Sequence, residues 1–117
     1  MSFPEYFKAL KALGMKRYTV TLSPFSCLYE TTDGETFLEK DKPNYDVVKS
    51  VSADWKQDDF IKALRRTQSG QTRYLEFLQE IGAAGAHHYT VDFVGYKCVY
   101  ESADGQNGYS EDIPSHF

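Results

Sequence analysis

The sequence lacks most features that would mark a specialised class of protein. It has two cysteines in 117 residues, too few for the disulfide framework of a small secreted domain. Its 13 basic residues are outnumbered by 17 acids, giving a net charge of −4, whereas a dedicated duplex-DNA binder is expected to be basic. No apolar run approaches the roughly 18 residues of a membrane span, and no signal-peptide pattern opens the chain. These absences predict a cytoplasmic protein with no membrane contact.

Aromatic side chains, in contrast, are abundant. Phenylalanine, tyrosine and tryptophan make up 15% of the residues, a composition too rich for a disordered chain. A chain of this length is expected to form one domain, residues 1–117, and to bury about 65% of its unfolded surface. The sequence therefore predicts a globular domain with one aromatic core.

An internal repeat is the most informative feature. A displacement of 71 residues superimposes identical residues in an ungapped stretch. The matched residues are Gly14 with Gly85, Tyr18-Thr19-Val20 with Tyr89-Thr90-Val91, Cys27 with Cys98, Tyr29-Glu30 with Tyr100-Glu101, and Asp33-Gly34 with Asp104-Gly105. Upstream of each stretch, apolar residues recur with the i, i+3, i+4, i+7 spacing of an amphipathic helix. The pattern predicts two αββ repeats, at 1–38 and 72–113, joined by a connecting loop and helix at 39–71.

Local signals predict where each element lies. Ser2 and Glu5 have the spacing of a helix capping box, and the glycines of Asp33-Gly34 and Asp104-Gly105 suit hairpin turns. The predicted helices cover residues 3–13, 54–67 and 72–81, and the predicted strands cover 16–22, 25–30, 36–38, 87–93, 96–101 and 109–113. Two repeats related by a pseudo-twofold axis can pool their hairpins. We expect an α+β fold with about three helices on one antiparallel sheet of four to six strands, whose strand order the sequence leaves open.

The second repeat also resembles a known family. Gln68, Gly70, Tyr74 and Phe77 precede Ala84-Gly85, and these are followed by Tyr89, Tyr100 and the turn at Asp104-Gly105. This order resembles the YbcV-like family of small bacterial proteins, whose members are often labelled "phage envelope protein". The resemblance covers most of the chain and supports the fold. It implies no activity, because the family has none established.

Symmetrically placed tyrosines are the first candidate site. Tyr18, Tyr29, Tyr89 and Tyr100 recur in equivalent positions, with rings suited to a sheet core and hydroxyl groups that need partners when buried. One interpretation is a symmetric aromatic core. The alternative is a central pocket, lined by these tyrosines together with His87 and His88, that binds a small planar or apolar molecule.

His87 and His88 are also weighed as metal ligands. Neighbouring strand residues point to opposite faces, so we expect no shared metal and no metal cofactor. One of the two histidines could instead pair with His116 or with an acid such as Asp92. Cys27 and Cys98 are interpreted as small core residues, with a redox-dependent disulfide as the alternative if the fold brings them together.

Three functions therefore remain open at the level of sequence. We prefer a non-enzymatic module that binds another protein or a second copy of itself, because no catalytic constellation, phosphate-binding loop or cofactor motif is recognisable. The second is a small-molecule binder or enzyme that uses the tyrosine-lined centre. The third is weak binding of single-stranded nucleic acid through Arg65, Arg66 and Arg73, next to Tyr74.

Overall fold

The computed structural model describes residues 3–114 and residue 116. Within that range it has three helices and six strands. Their bounds are α1 (Phe3–Ala12), β1 (Met15–Thr21), β2 (Ser26–Thr31), β3 (Thr36–Lys40), α2 (Gln57–Gln68), α3 (Tyr74–Ala83), β4 (His88–Asp92), β5 (Lys97–Glu101) and β6 (Gly108–Asp112). The expected α+β fold, with three helices on one antiparallel sheet, is confirmed. The predicted capping box falls on Ser2, which lies outside the described residues.

A single sheet runs through the whole fold, in the order β3-β2-β1-β4-β5-β6. Every neighbouring pair of strands is antiparallel. The β1–β4 pair joins the first three strands to the last three, so each hairpin contributes its first strand to the centre of the sheet. At the middle of this pair Thr19 lies opposite Thr90, and their Oγ1 atoms are 3.1 Å apart.

Alternate strand residues form the core on one side of the sheet, which we call the helix side. Tyr18 and Val20 of β1 face the helices together with Tyr89 and Val91 of β4, and all four are at most 5% exposed. Aromatic rings from the helices complete this core. They include Phe7 of α1, stacked on Phe93 at 4.5 Å, and Phe60 of α2, whose ring centre lies 4.9 Å from that of Tyr100. Burying one such ring fully contributes about 1.5–3 kcal/mol to folding.

The opposite side of the sheet, the open side, is mostly polar. One row crosses all six strands through its centre and consists of Leu38, Leu28, Thr19, Thr90, Val99 and Ser110. Ion pairs connect neighbouring strands beside this row, with Arg17 3.4 Å from Glu30 and Lys97 2.8 Å from Asp112. These are solvent-exposed surface pairs, which contribute little to stability.

The segment between the two hairpins corrects one prediction. A helix over residues 54–67 was expected, but α2 begins at Gln57. The preceding residues are held by the end of α3: the Lys56 amide donates to the Ala84 carbonyl at 2.8 Å, and the Ser52 amide donates to Gly82 at 3.0 Å. Lys56 itself has φ −116° and ψ 86°, outside the helical region, so the helix begins after it.

Gly85, at the end of α3, lets that segment approach closely. Its φ is +102°, and a Cβ placed there would lie 2.5 Å from the Asp54 carbonyl oxygen. Gly14, the matching residue after α1, also has a positive φ, at +84°, but its nearest neighbour would be the Thr32 hydroxyl at an ordinary 3.7 Å.

We therefore expect Gly85→Ala to destabilise the fold more than Gly14→Ala. Both variants strain a left-handed residue, at about 1–2 kcal/mol, but only Gly85→Ala also has to displace backbone, which adds about 1–3 kcal/mol. Urea unfolding measures the difference, provided that both variants keep the wild-type m-value. Equal losses of stability would contradict the close contact at Gly85.

Candidate functional site

The four predicted site tyrosines lie in two cross-strand pairs on the helix side. Tyr18 faces Tyr29 with ring centres 5.8 Å apart, and Tyr89 faces Tyr100 at 5.2 Å. Tyr18 and Tyr89 are each 5% exposed, Tyr100 is 6% exposed, and Tyr29 is half-buried. The rings pack between the sheet and the helices, where they form the aromatic core. A ligand-binding role for them stays a prediction.

Hydroxyl contacts connect this core to the helices. The Tyr74 hydroxyl of α3 lies 2.6 Å from that of Tyr89, and the Tyr6 hydroxyl of α1 lies 3.1 Å from that of Tyr29. Burial raises the pKa of Tyr18 and of Tyr89 well above the usual value, and the pKa of Tyr29 also rises through burial and its contact with Tyr6. These phenols are therefore neutral at physiological pH and serve as hydrogen-bonding groups.

Two surface depressions among the described residues are open to solvent and lie away from the centre of the sheet. One is at the start of α2 and is lined by Lys56, Gln57, Asp58 and Asp59. The other follows the β5–β6 hairpin and includes Tyr100 and Tyr109. Neither depression brings Tyr18, Tyr89 and the histidines together.

The two histidines meet, which corrects the expectation that they point to opposite faces. Their Nδ1 atoms are 2.9 Å apart, and the ring centres are 5.2 Å apart. The backbone of His87 is hydrogen-bonded to both Glu101 and Leu22. The Nδ1 separation is that of an N–H···N hydrogen bond, in which one ring donates and the other accepts.

The far side of His88 faces an acid. Its Nε2 lies 3.7 Å from Oε1 of Glu101 on the neighbouring strand β5, so Glu101 is the acidic neighbour of this pair. Asp92, one of the expected partners, instead accepts the amides of Val94 and Gly95, each at 2.9 Å. Across residues 3–114 and residue 116, no group of three or more His, Cys, Asp and Glu side chains is arranged to hold a metal ion.

The two cysteines are far apart in the sheet. Cys27 lies on β2 and Cys98 on β5, with β1 and β4 between them. Three strand spacings of about 4.8 Å separate them by about 14 Å, well beyond the roughly 7 Å that a disulfide can bridge. Both thiols are free, and burial raises the pKa of Cys27 to about 11 and the pKa of Cys98 to about 11. The alternative of a disulfide between them is wrong for this fold.

The three arginines do not form one surface. Arg65 donates to Glu111 at 2.7 Å and to the Tyr109 hydroxyl at 3.2 Å, and Arg66 forms an ion pair with Glu80 of α3. Arg73 lies before α3, where its amide donates to Glu76 at 3.0 Å. Arg65 and Arg66 therefore connect α2 to β6 and α3, and their role in nucleic-acid binding stays a prediction.

Exposed apolar residues on the edge hairpin were not among the predicted site residues. Leu28 of β2 and Leu38 of β3 lie opposite each other on the open side and are 37% and 53% exposed. Phe37, on the helix side of the same edge strand, is 66% exposed. The sequence did carry a signal, since Phe37-Leu38 is an apolar pair in a short predicted strand. Its exposure follows from the place of β3 at the edge of the sheet.

Comparison with known proteins identifies the family without naming an activity. The architecture is that of an α+β domain with helices on a six-stranded antiparallel sheet. Residues 1–112 match the model of a family described as "Protein of unknown function (DUF1398)", and the chain belongs to that family. Among the residues that the structure describes, no helix is long and apolar enough to cross a membrane.

Similar curated proteins come from mycobacteria. Uncharacterized proteins of Mycobacterium bovis and of two strains of Mycobacterium tuberculosis are each 34% identical to this chain over 98 residues. Each alignment covers 84% of this chain and 58% of the relative. The chain therefore matches little more than half the length of these relatives.

The buried phenols predict how stability depends on pH in the alkaline range. Their pKa values are raised in the folded chain, so the unfolded chain releases phenolic protons from about pH 10 upward while the folded chain keeps them. We expect the free energy of unfolding to be unaffected by these groups below that pH and to fall above it.

Absorbance of phenolate, recorded beside circular dichroism during an alkaline titration, measures this effect. One set of tyrosines should ionise while the fold is intact, and the remainder should ionise only together with unfolding. The Tyr89→Phe variant should lose one group from the second set. Ionisation of all tyrosines in the folded protein would show that the central rings are accessible to water.

Proposed function

We propose that this chain is a non-enzymatic protein-interaction module that binds its partner through the β2–β3 edge of the sheet. The observation that carries the proposal is that this hairpin exposes large apolar side chains on both sides of the sheet edge. Leu28 and Leu38 on the open side are 37% and 53% exposed, and Phe37 on the helix side is 66% exposed. Apolar side chains exposed beside an unpaired strand edge are typical of surfaces that another chain covers.

The opposite edge of the sheet supports the proposal by contrast. Ser110 of β6 ends the cross-sheet row that Leu38 begins on β3. At these matching positions the β6 edge is therefore polar and the β3 edge is apolar. On the helix side Tyr109 of β6 is half-buried and hydrogen-bonded to Arg65, whereas Phe37 of β3 is largely exposed. An edge strand with exposed apolar side chains is prone to associate with other chains.

Several finer assignments accompany this proposal and stay predictions. They are the two αββ repeats within a single domain, the YbcV-like identity with its phage-related label, and a cytoplasmic location. The two free cysteines support the last of these, because thiols that remain reduced suit a reducing compartment. The partner is either another protein or a second copy of the chain.

Site-specific photocrosslinking in the cells that make the protein tests the proposal. A photoreactive residue at Leu38 should give an adduct with a protein partner, detected as a discrete band and identified by mass. The matched control is the same residue at Ser110, which ends the same row at the other edge. Leu38 without an adduct, or equal adducts at both positions, would contradict the proposal.

A further inference from the structure

We propose that the partner contributes an amphipathic helix, carrying an aromatic side chain and an arginine, that packs on the helix side of β2 and β3. This inference rests on the proposed function and names the kind of partner. The surface consists of Tyr29, Phe37 and Glu39, and we call it the uncovered half. On β5 and β6, α2 of this same chain already covers the equivalent surface.

The first half of the sheet consists of β1, β2 and β3, and the second half consists of β4, β5 and β6. The equivalence of the two halves follows from the strand register. Thr19 pairs with Thr90, its own counterpart under the 71-residue displacement. Tyr18 pairs with Val91, and Val20 pairs with Tyr89, so exchanging the two repeats turns one pair into the other. Such reciprocal pairing is the property of a twofold relation. We infer a pseudo-twofold axis between Thr19 and Thr90.

The outer strands pair in the same way, except that β6 is displaced from β3 by 72 residues and not by 71. Tyr29 pairs with Phe37 as Tyr100 pairs with Tyr109. One position further along the helix side, Cys27 pairs with Glu39 as Cys98 pairs with Glu111. The uncovered half therefore presents two rings and a carboxylate in the same arrangement as Tyr100, Tyr109 and Glu111.

On the second half, α2 covers these three groups. The Phe60 ring lies 4.9 Å from that of Tyr100 and 5.6 Å from that of Tyr109. Arg65 donates to Glu111 at 2.7 Å, and Gln68 donates to the other carboxylate oxygen at 2.8 Å. An aromatic ring, an arginine and a glutamine on one helix thus contact all three groups. Tyr100, which also packs against Phe77 of α3, is only 6% exposed.

On the first half, the same groups lack this cover. Phe37 is 66% exposed, and Tyr29 is half-buried, its hydroxyl in contact with Tyr6 of α1. The Glu39 carboxylate has Lys42 at 3.7 Å, longer than a hydrogen bond. An arginine that approached Glu39 would form the charge-assisted pair that Arg65 forms with Glu111. The surface is therefore complementary to a helix of the α2 type.

A second copy of the chain does not supply such a helix. In α2 the Phe60 side chain is fully buried and Arg65 is already paired with Glu111. The sequences of α1 and α3 contain no arginine. The partner helix therefore comes from outside residues 1–117.

A peptide with the sequence of residues 55–70 serves as the probe, because it contains α2 with its aromatic residue and its arginine. It is titrated into isotope-labelled full-length protein and followed by NMR. We expect shifts at Tyr29, Phe37 and Glu39, and we expect Phe60→Ala in the peptide to weaken binding at least about tenfold, as is typical of an aromatic anchor.

Charge reversal tests the arginine. Glu39→Lys in the protein should weaken binding of the wild-type peptide by about tenfold. The Glu39→Lys protein should then bind the Arg65→Glu peptide more tightly than the wild-type peptide. The matched control is Asp112→Lys, the same charge change on the open side of β6, where Asp112 is 83% exposed. This control should bind both peptides like the wild type. Urea midpoints establish that each variant is folded.

Several outcomes would overturn the inference. The first is no binding at millimolar peptide. The second is that the Glu39→Lys protein shows no preference for the Arg65→Glu peptide. The third is a set of shifts confined to β5, β6 and α3, which would mean that the peptide only displaces α2. A dimer of the protein alone that Phe37→Lys dissociates would make a second copy the occupant. A crosslinked partner at Leu38 without peptide binding would refute the helix and leave the proposed function intact.

Discussion

The antiparallel pair of β1 and β4 is the contact on which the rest of the structure depends. Each of these strands begins a hairpin, so their pairing merges two three-stranded units into one sheet. It also places Tyr18 and Val20 beside Tyr89 and Val91, which creates one continuous apolar surface for the helices to cover. Because burial of apolar surface is the main favourable term in folding, this shared surface makes the two halves mutually dependent. The same pairing keeps Cys27 and Cys98 apart, because β1 and β4 lie between β2 and β5.

What differs between the halves is their cover. The segment after β3 crosses to α3, where Val48 packs closely against Gly82, and then forms α2 over β5 and β6. The second half thereby gains Phe60 and Arg65 as partners for its rings and its acid. The first half keeps Phe37 exposed at the edge of the sheet. Because α2 packs on β5 and β6, Phe37 on β3 stays exposed, and this exposed edge is the basis of the function that we propose.

The sequence predicted the elements well where local chemistry decides them. The alternation of Tyr18 and Val20, the turn at Asp33-Gly34 and the amphipathic spacing of α1 all depend on neighbouring residues, and the structure confirms these elements. The order of the strands was not predictable in this way, because either edge of each hairpin offers the same backbone donors and acceptors. The structure places at the centre the strands with the strongest apolar alternation, β1 and β4, and leaves the more polar β3 and β6 at the edges.

Long-range contacts explain the remaining differences. The segment before α2 is hydrogen-bonded through Ser52 and Lys56 to the end of α3, a long-range contact that no local pattern reports. The contact between His87 and His88 depends on the side-chain orientations of two neighbouring residues, which the alternation of a strand did not predict. The exposed site residues, above all Phe37, were missed because their exposure follows from edge position and from the path of α2. Both are properties of the assembled fold.

Native-state hydrogen exchange tests the central claim most directly, since it reports the free energy with which each strand opens. If the two halves share one core through β1 and β4, the amides of Val20 and Val91 exchange with the same free energy, equal to that of global unfolding. The account also predicts that amides of β3 exchange faster than those of β6, which α2 covers. Clearly different opening energies for β1 and β4 would show that the halves unfold separately and would contradict the account.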